Sequence, residues 1–541
     1  MYMKLKNKLN LNKCFTIVLL LVIVLLASLV RVYKIDQIPP ALSWDEASVG
    51  YNAWTIANFG KDEWGKSFPL VFKAFGEDKH PVHIYITTVF VKLMGLSELS
   101  TRFSAALFGV LNVTLLFFLG KIFFKSNLAG LIAAFLLAIS PYNIHFSRFN
   151  HELNFALFFF LLGSVCFFQG INKKPILVTI AFLSFGIDLL TYPSAKIITP
   201  PLIFLITMLY FKKLLNIRPY FLFGVLIWFS FIILMILNPG LIGRERINQT
   251  SFGMERISST SLYQKTQNPL LGRMEIIFNQ YFLHYSPRYL AISGDKNPML
   301  SSQITGEFYI LDILFLIIGL IALGIRRSKE GLVLLVWGIL GPIPSSLVNE
   351  APHAARAMFM LGSWHLITAF GFYTLISIFK KTNLKILVVF IGVIMYSFLF
   401  KNYVVGYFGE YAKRYAIEWQ YGMKQAIEYI KEHDRYFQVY VTAERGQPYI
   451  FFAYYLQTPL PGYLDTVYYN ENENRSFNLV SFFDKYHFGD WNPIESFPHP
   501  GVLYMLTPSE YDGLRHRDVF DVKKLIKYPN GLDAFYLVSY L

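Results

Sequence analysis

The stretch STRFSAALFGVLNVTLLFFLGKIFF, residues 100–124, sets how the rest of the chain is read. From Phe103 to Gly120 it carries no charge, the length a helix needs to cross a hydrocarbon core about 30 Å thick. It then runs into KIFFK (121–125), and short loops rich in Lys and Arg stay on the cytoplasmic side. The segment therefore reads as a span that enters from outside, with Arg102 at its outer mouth. The positive-inside tendency does not call for a cation there, so Arg102 needs a function or a carboxylate partner.

Similar runs recur at 14–30, 128–142, 153–169, 175–190, 197–211, 219–238, 307–325, 331–349, 357–379 and 385–400. Eleven spans result, in a chain of 541 residues that is 54% hydrophobic and only 16% charged, a balance that excludes a soluble globular protein. The loops NKK (172–174), FKKLLNIR (211–218), RRSK (326–329) and KKTNLK (380–385) fall on the same side as KIFFK and the basic N-terminus. That side is expected to be the cytoplasm, and topology then accounts for most of the net charge of +14 without a nucleic-acid partner. The N-terminal segment resembles a signal sequence but lacks a small-x-small cleavage site, so it is read as an uncleaved first helix. Residues 82–96, VHIYITTVFVKLMGL, would invert every later loop if counted as a span. They are expected to lie along the membrane surface. Cys14 and Cys166 both fall in apolar runs and offer no disulfide framework.

This topology leaves two long outer loops, 31–102 and 239–306, and a polar, tyrosine-rich tail. The expected domains are a membrane domain over 1–401 and an extracytoplasmic domain over 402–541. In the tail, YAKRYAIEWQYGMKQAIEYIKEHD (411–434) has helical periodicity, while FQVYVTA, GVLYMLT and AFYLVSY read as strands, so a small α/β domain is expected.

The first outer loop carries PPALSWDEASVGYNAW, residues 39–54. Ser43-Trp44-Asp45-Glu46 has the form of a capping box with Ser43 as N-cap, and Gly60 suits the C-cap. Successive helical residues point about 100° apart, so Glu46 can cap while Asp45 faces a cavity as a general base. Farther on, FGEDKHPVHIY (75–85) puts Lys79 and His80 before Pro81 at a helix start, where a cation and helix N-terminus suit a phosphate. Asp188 and Asp312, inside apolar spans, are expected to face a cavity or a partner.

A long first outer loop with Asp-Glu, a Lys-x-Pro element and the 100–124 stretch together resemble the GT-C glycosyltransferases. The likeness is to family 39 and its relatives, the protein O-mannosyltransferases and lipid A aminoarabinose transferases. It is clearest over residues 30–200. The implied fold is an α-helical polytopic membrane protein of GT-C type with a small C-terminal α/β domain. The implied activity is transfer of a sugar, with inversion, from a polyprenyl-phosphate donor to an acceptor hydroxyl at the outer face of a bacterial plasma membrane.

On that resemblance Asp45 would be the base, Glu46 would cap or orient, and Lys79, with His80 where the family has proline, would meet the lipid phosphate. Arg102 matches the family arginine at the second span. Arg148 and His151 in SPYNIHFSRFNHELN, Arg244 and Arg246 in GRERINQT, and His353 and Arg356 in NEAPHAARAMF complete the expected substrate contacts. His353 and Arg356 are expected on one helical face, and the 239–306 loop, long, polar and poorly patterned, as a mobile lid. The lipid-linked sugar is a substrate, so no cofactor is expected, although a divalent metal is compatible with the family. The acceptor is a glycan, a lipid or a protein, and membrane lipids surround the spans. The rival readings are a secondary transporter, which usually shows inverted repeats and midplane charges, and a lipid-linked oligosaccharide ligase.

Overall fold

A computed structural model describes residues 12–75, 77–243, 251–470, 480–489, 494 and 499–541. The chain opens with helices α1 (Lys13–Val32), α2 (Trp44–Phe59), α3 (Pro81–Met94) and α4 (Glu98–Phe124). Two compact units emerge, one from residues up to Tyr33 together with Ala105–Tyr407, the other from Lys34–Ser104 together with Phe408–Leu541. The first outer loop, placed with the membrane domain by sequence, thus forms one unit with the tail.

The first unit is the helical bundle. Each of the eleven expected spans contains a helix: α1, α4, Asn127–Ile139, Leu153–Gly170, Ile176–Leu189, Pro193–Leu215, Arg218–Leu237, Ile310–Arg326, Lys329–Leu340, Met360–Ile378 and Thr382–Gly406. Among the described residues, seven helices are long and apolar enough to cross a membrane. The helix Arg218–Leu237 exposes Leu226, Phe229, Ile233 and Ile236, a surface that only lipid solvates well. Helices Ile310–Arg326 and Met360–Ile378 approach through small residues. A Cβ on Gly319 would sit 2.1 Å from the Ile367 carbonyl, and one on Gly371 1.9 Å from that of Phe315.

Two expectations for this unit need correction. The run 331–349 is not one helix, because Pro342 removes a backbone donor just past Leu340 and only a short turn, Ile343–Ser346, follows. The 239–306 loop, read as poorly patterned, forms helices among its described residues, including Met254–Ser258, Ser261–Thr266 and Pro269–Leu283. Asp312 has the partner that its place in an apolar span called for. It caps its own helix by accepting from the Tyr309 amide at 2.9 Å, and it accepts from the Tyr396 hydroxyl at 2.7 Å.

The second unit packs helices against a mixed sheet. A hairpin of β1 (Phe72–Ala74) and β2 (Glu77–Lys79) delivers Lys79 to the start of α3. The tail contributes β3 (Gln438–Thr442), β4 (Tyr468–Tyr469), β5 (Val480–Phe483), β6 (Tyr486–Gly489), β7 (Val502–Leu506), β8 (Phe520–Lys527) and β9 (Asp533–Tyr540), ordered β4-β5-β6-β3-β7-β9-β8. The three strands read from sequence are β3, β7 and β9, and β3 lies parallel to both β6 and β7. The expected 411–434 helix breaks instead, because Gly422 takes φ 106°. The regular part is Met423–Glu432, with Met423, Ile427 and Ile430 buried and Ile417 left exposed.

One continuous core holds loop and tail together. Leu42, Ala47, Tyr51 and Ala53 share it with Ile427, Val439, Phe451 and Leu503. The Tyr51 hydroxyl donates to the Thr458 carbonyl at 2.9 Å, and the Trp44 amide donates to Gln420 Oε1 at 3.1 Å. At the closest point, a Cβ on Gly50 would meet the Tyr454 ring at 2.4 Å and Thr101 Oγ1 at 2.7 Å. Gly50→Ala is therefore expected to destabilise the protein by about 1–3 kcal/mol through overpacking. A thermal melt of the purified variant matching that of the parent chain would contradict this packing.

Candidate functional site

The capping box at the start of α2 forms as read: Ser43 Oγ accepts from the Glu46 amide at 3.2 Å, and Glu46 Oε2 accepts from the Ser43 amide at 3.1 Å. Gly60 closes the helix at φ 66°. With Glu46 turned back to the cap, Asp45 projects from another side and meets Lys79 Nζ at 2.5 Å. Lys79 is buried, its side chain 6% exposed, whereas Asp45 is 49% exposed. One partner is thus fixed, and the carboxylate stays reachable. Lys79 also lies 5.2 Å from the centre of the Phe75 ring. His80 is the N-cap residue of α3 and makes no side-chain cap bond, and Pro81 opens the helix.

Arg102 does not sit where a substrate contact was expected. It is fully buried, and Nε and Nη2 grip the two Glu46 oxygens at 2.8 and 3.1 Å. Its remaining donors go to the carbonyls of Ile35 and Pro39, each at 2.9 Å, and Ala41 at 2.5 Å. The guanidinium is occupied by the loop that precedes α2, so Arg102 positions Glu46 and that loop. This resolves the misplaced cation of the sequence in favour of a carboxylate partner.

A second carboxylate lies along α2, unnoticed in the sequence reading. Glu63 is buried; Oε1 accepts from Asn52 Nδ2 at 2.9 Å and Oε2 from the Tyr449 hydroxyl at 3.3 Å. Burial pushes its pKa up to about 7; the Asn52 bond opposes that, Asp62 adds to it, and Tyr449 and Lys79 draw it down. The folded-state pKa thus exceeds the unfolded one near 4.5, so the neutral acid favours folding. That stability is complete below about pH 4.5 and is lost as pH rises through about 7, a change of about 3 kcal/mol. Melting midpoints between pH 5 and 8 are expected to fall in the parent chain and to flatten in Glu63→Gln. An identical slope in both would overturn the assignment.

The remaining expected residues belong to the helical unit. Arg148 is buried and donates to the Val30 and Tyr33 carbonyls, each at 2.7 Å, which ties it to the end of α1. His151 Nδ1 accepts from the Leu153 amide at 3.2 Å and lies 3.4 Å from Glu152 Oε2, the geometry of a helix-start residue. His353 and Arg356 do not share a helical face, because residues 354–359 form turns before Met360. They meet through Glu350 instead, whose Oε2 lies 3.9 Å from His353 Nε2 and 3.3 Å from Arg356 Nη1. Arg244 and Arg246 lie outside the described residues.

The turn carrying His353 and Arg356 is held by a residue the sequence reading passed over. Asp295 Oδ2 accepts from the Ala354 amide at 2.7 Å, and the Asp295 amide donates to Glu307 Oε1 at 3.1 Å. Burial raises the pKa of Asp295. The signal available in sequence was Asp295-Lys-Asn297, an Asx turn whose Asp295 Oδ1 accepts from the Asn297 amide at 2.9 Å. Among the described residues, no group of three His, Cys, Asp or Glu is placed to hold a metal ion.

A bundle of apolar helices together with a long first loop and a C-terminal α/β region is the GT-C membrane fold. Its solved relatives include ArnT from Cupriavidus metallidurans in the apo state, with TM-score 0.56, 12% identity, and coverage of 96% of this chain and 97% of that one. They also include the Archaeoglobus fulgidus oligosaccharyltransferase tethered to an acceptor peptide, with TM-score 0.51, 14% identity, and coverage of 97% and 74%. Residues 78–236 match the family described as dolichyl-phosphate-mannose-protein mannosyltransferase. Over 170 residues the chain is 31% identical to a Bacillus subtilis (strain 168) protein named "Putative mannosyltransferase YycA", a match spanning 31% of this chain and 24% of that relative.

Proposed function

We propose that the chain is a membrane glycosyltransferase that moves a sugar from a polyprenyl-phosphate donor to an acceptor hydroxyl, with inversion and with Asp45 as base. The observation that carries this reading is the Asp45–Lys79 pair: a reachable carboxylate held 2.5 Å from a buried cation at the start of α3. Asp45 takes the proton of the acceptor hydroxyl as its oxygen attacks C1 of the sugar. The bond from C1 to the phosphate oxygen breaks, and its electron pair leaves on the polyprenyl phosphate. Lys79 offsets the charge developing there, an effect strengthened by exclusion of water. Glu46 and Arg102 touch no substrate in this scheme and keep the first turn of α2 in place.

Two comparisons support the reading. A crystal structure of ArnT from Cupriavidus metallidurans bound to undecaprenyl phosphate shares the fold, with TM-score 0.55 over 97% of this chain. The mannosyltransferase family match begins at residue 78, beside Lys79. The proposed setting is a bacterial plasma membrane, N-terminus in the cytoplasm and the loop-plus-tail unit outside, as the basic loops favour. The proposed acceptor is a glycan, lipid or protein hydroxyl. The test is incubation of membrane vesicles containing the chain with labelled polyprenyl-phosphate sugars. Lipid-dependent transfer is expected, and solute flux without any transfer would favour a transporter instead.

A further inference from the structure

Residues 443–447 join β3 to the helix Pro448–Tyr455. They run beside the candidate site. A Cβ on Gly446 would lie 3.2 Å from the ring of Trp44, the residue before Asp45. Three residues on, Tyr449 bonds Glu63, and its ring stands 6.2 Å from Phe75, the ring near Lys79. Between these contacts lies Gln447, in a left-handed backbone conformation at φ 47°, ψ 44°. It is 1% exposed, yet neither its Nε2 nor its Oε1 has a hydrogen-bond partner. Buried amides are almost always paired, and leucine would fill a similar space without that cost. An amide held so, in a strained backbone and beside the site, has the character of a group whose partner arrives with a ligand.

We propose that Gln447 is a sugar-recognition residue, its amide exchanging hydrogen bonds with one hydroxyl of the sugar that is transferred at the Asp45–Lys79 pair. A primary amide offers both donor and acceptor, and a sugar hydroxyl offers both in return. The tail thereby takes part in substrate choice, while the groups that act on the reacting atoms come from the first loop. The inference rests on the glycosyltransferase reading above.

The test compares the full chain with Gln447→Leu on polyprenyl-phosphate sugars that differ at single hydroxyls, either epimeric or deoxy. Melting is measured in parallel. Gln447→Leu is expected to melt at or above the parent temperature and to lose about 10- to 100-fold in kcat/KM on the preferred sugar. Its loss on the sugar lacking the recognised hydroxyl is expected to be small, so that the preference collapses. Gln447→Glu, which keeps an acceptor, is expected to recover part of the preference. A preference left intact in Gln447→Leu overturns the inference, as does an equal loss on every sugar with a lowered melting point, since that marks a structural role. A parent chain that transfers none of these sugars overturns the glycosyltransferase reading itself; a parent chain that does, with Gln447→Leu unchanged, overturns only the role of Gln447.

Discussion

Arg102→Leu is expected to lower stability by about 3–5 kcal/mol, the cost of leaving a buried charge without its partner. Glu46 would keep a carboxylate out of water without the guanidinium that binds both its oxygens, and the carbonyls of Ile35, Pro39 and Ala41 would each lose a donor. Arg102→Lys is expected to fare little better, because one ammonium cannot replace a fork that binds two carboxylate oxygens and three carbonyls. The pair of variants separates the two roles considered for this residue. A substrate contact would leave melting intact and raise KM, whereas the observed network predicts a large drop in melting temperature or loss of folded protein for both. Wild-type melting in Arg102→Leu would remove the scaffold assignment.

Asp45→Asn is expected to reduce sugar transfer by about 10²–10⁴-fold, the usual contribution of a general base. Asparagine has the same shape and can still accept a hydrogen bond from Lys79, but it cannot take a proton at neutral pH. The fold is expected to survive, because the Ser43–Glu46 cap and the Glu46–Arg102 pair do not involve position 45. Asp45 is also half exposed, and an asparagine oxygen there still accepts from the buried Lys79 ammonium, which confines the cost to that one pair. Steady-state transfer measured beside a melting curve decides the matter. A folded Asp45→Asn chain that transfers at the parent rate would remove Asp45 as the base.

The readable parts of the site share one property. Ser43, Glu46 and Gly60 act within one helix, so their roles follow from spacing along the chain, and Lys79-His80-Pro81 marks a helix start by its proline. Residues whose partners lie far away in sequence were misread or missed. Glu46 and Arg102 are 56 positions apart, and Glu63 and Tyr449 are 386 apart. His353 and Arg356 looked like a helical pair because they lie three apart, but the helix beside them starts only at Met360. Asp312 looked anomalous in an apolar span until Tyr396 supplied its partner.

By itself the sequence determined the membrane class, the order of the spans, the first turn of α2 and three strands of the tail. These depend on hydropathy summed over short windows, on side-chain period and on local capping, all of which act between near neighbours. Only the tertiary structure decided that the first loop and the tail share one core, that Arg102 is spent on Glu46, and that Gln447 is buried unpaired beside the residues around Asp45. Those outcomes depend on which distant surfaces meet and which polar groups they satisfy, and no periodicity along the chain encodes that.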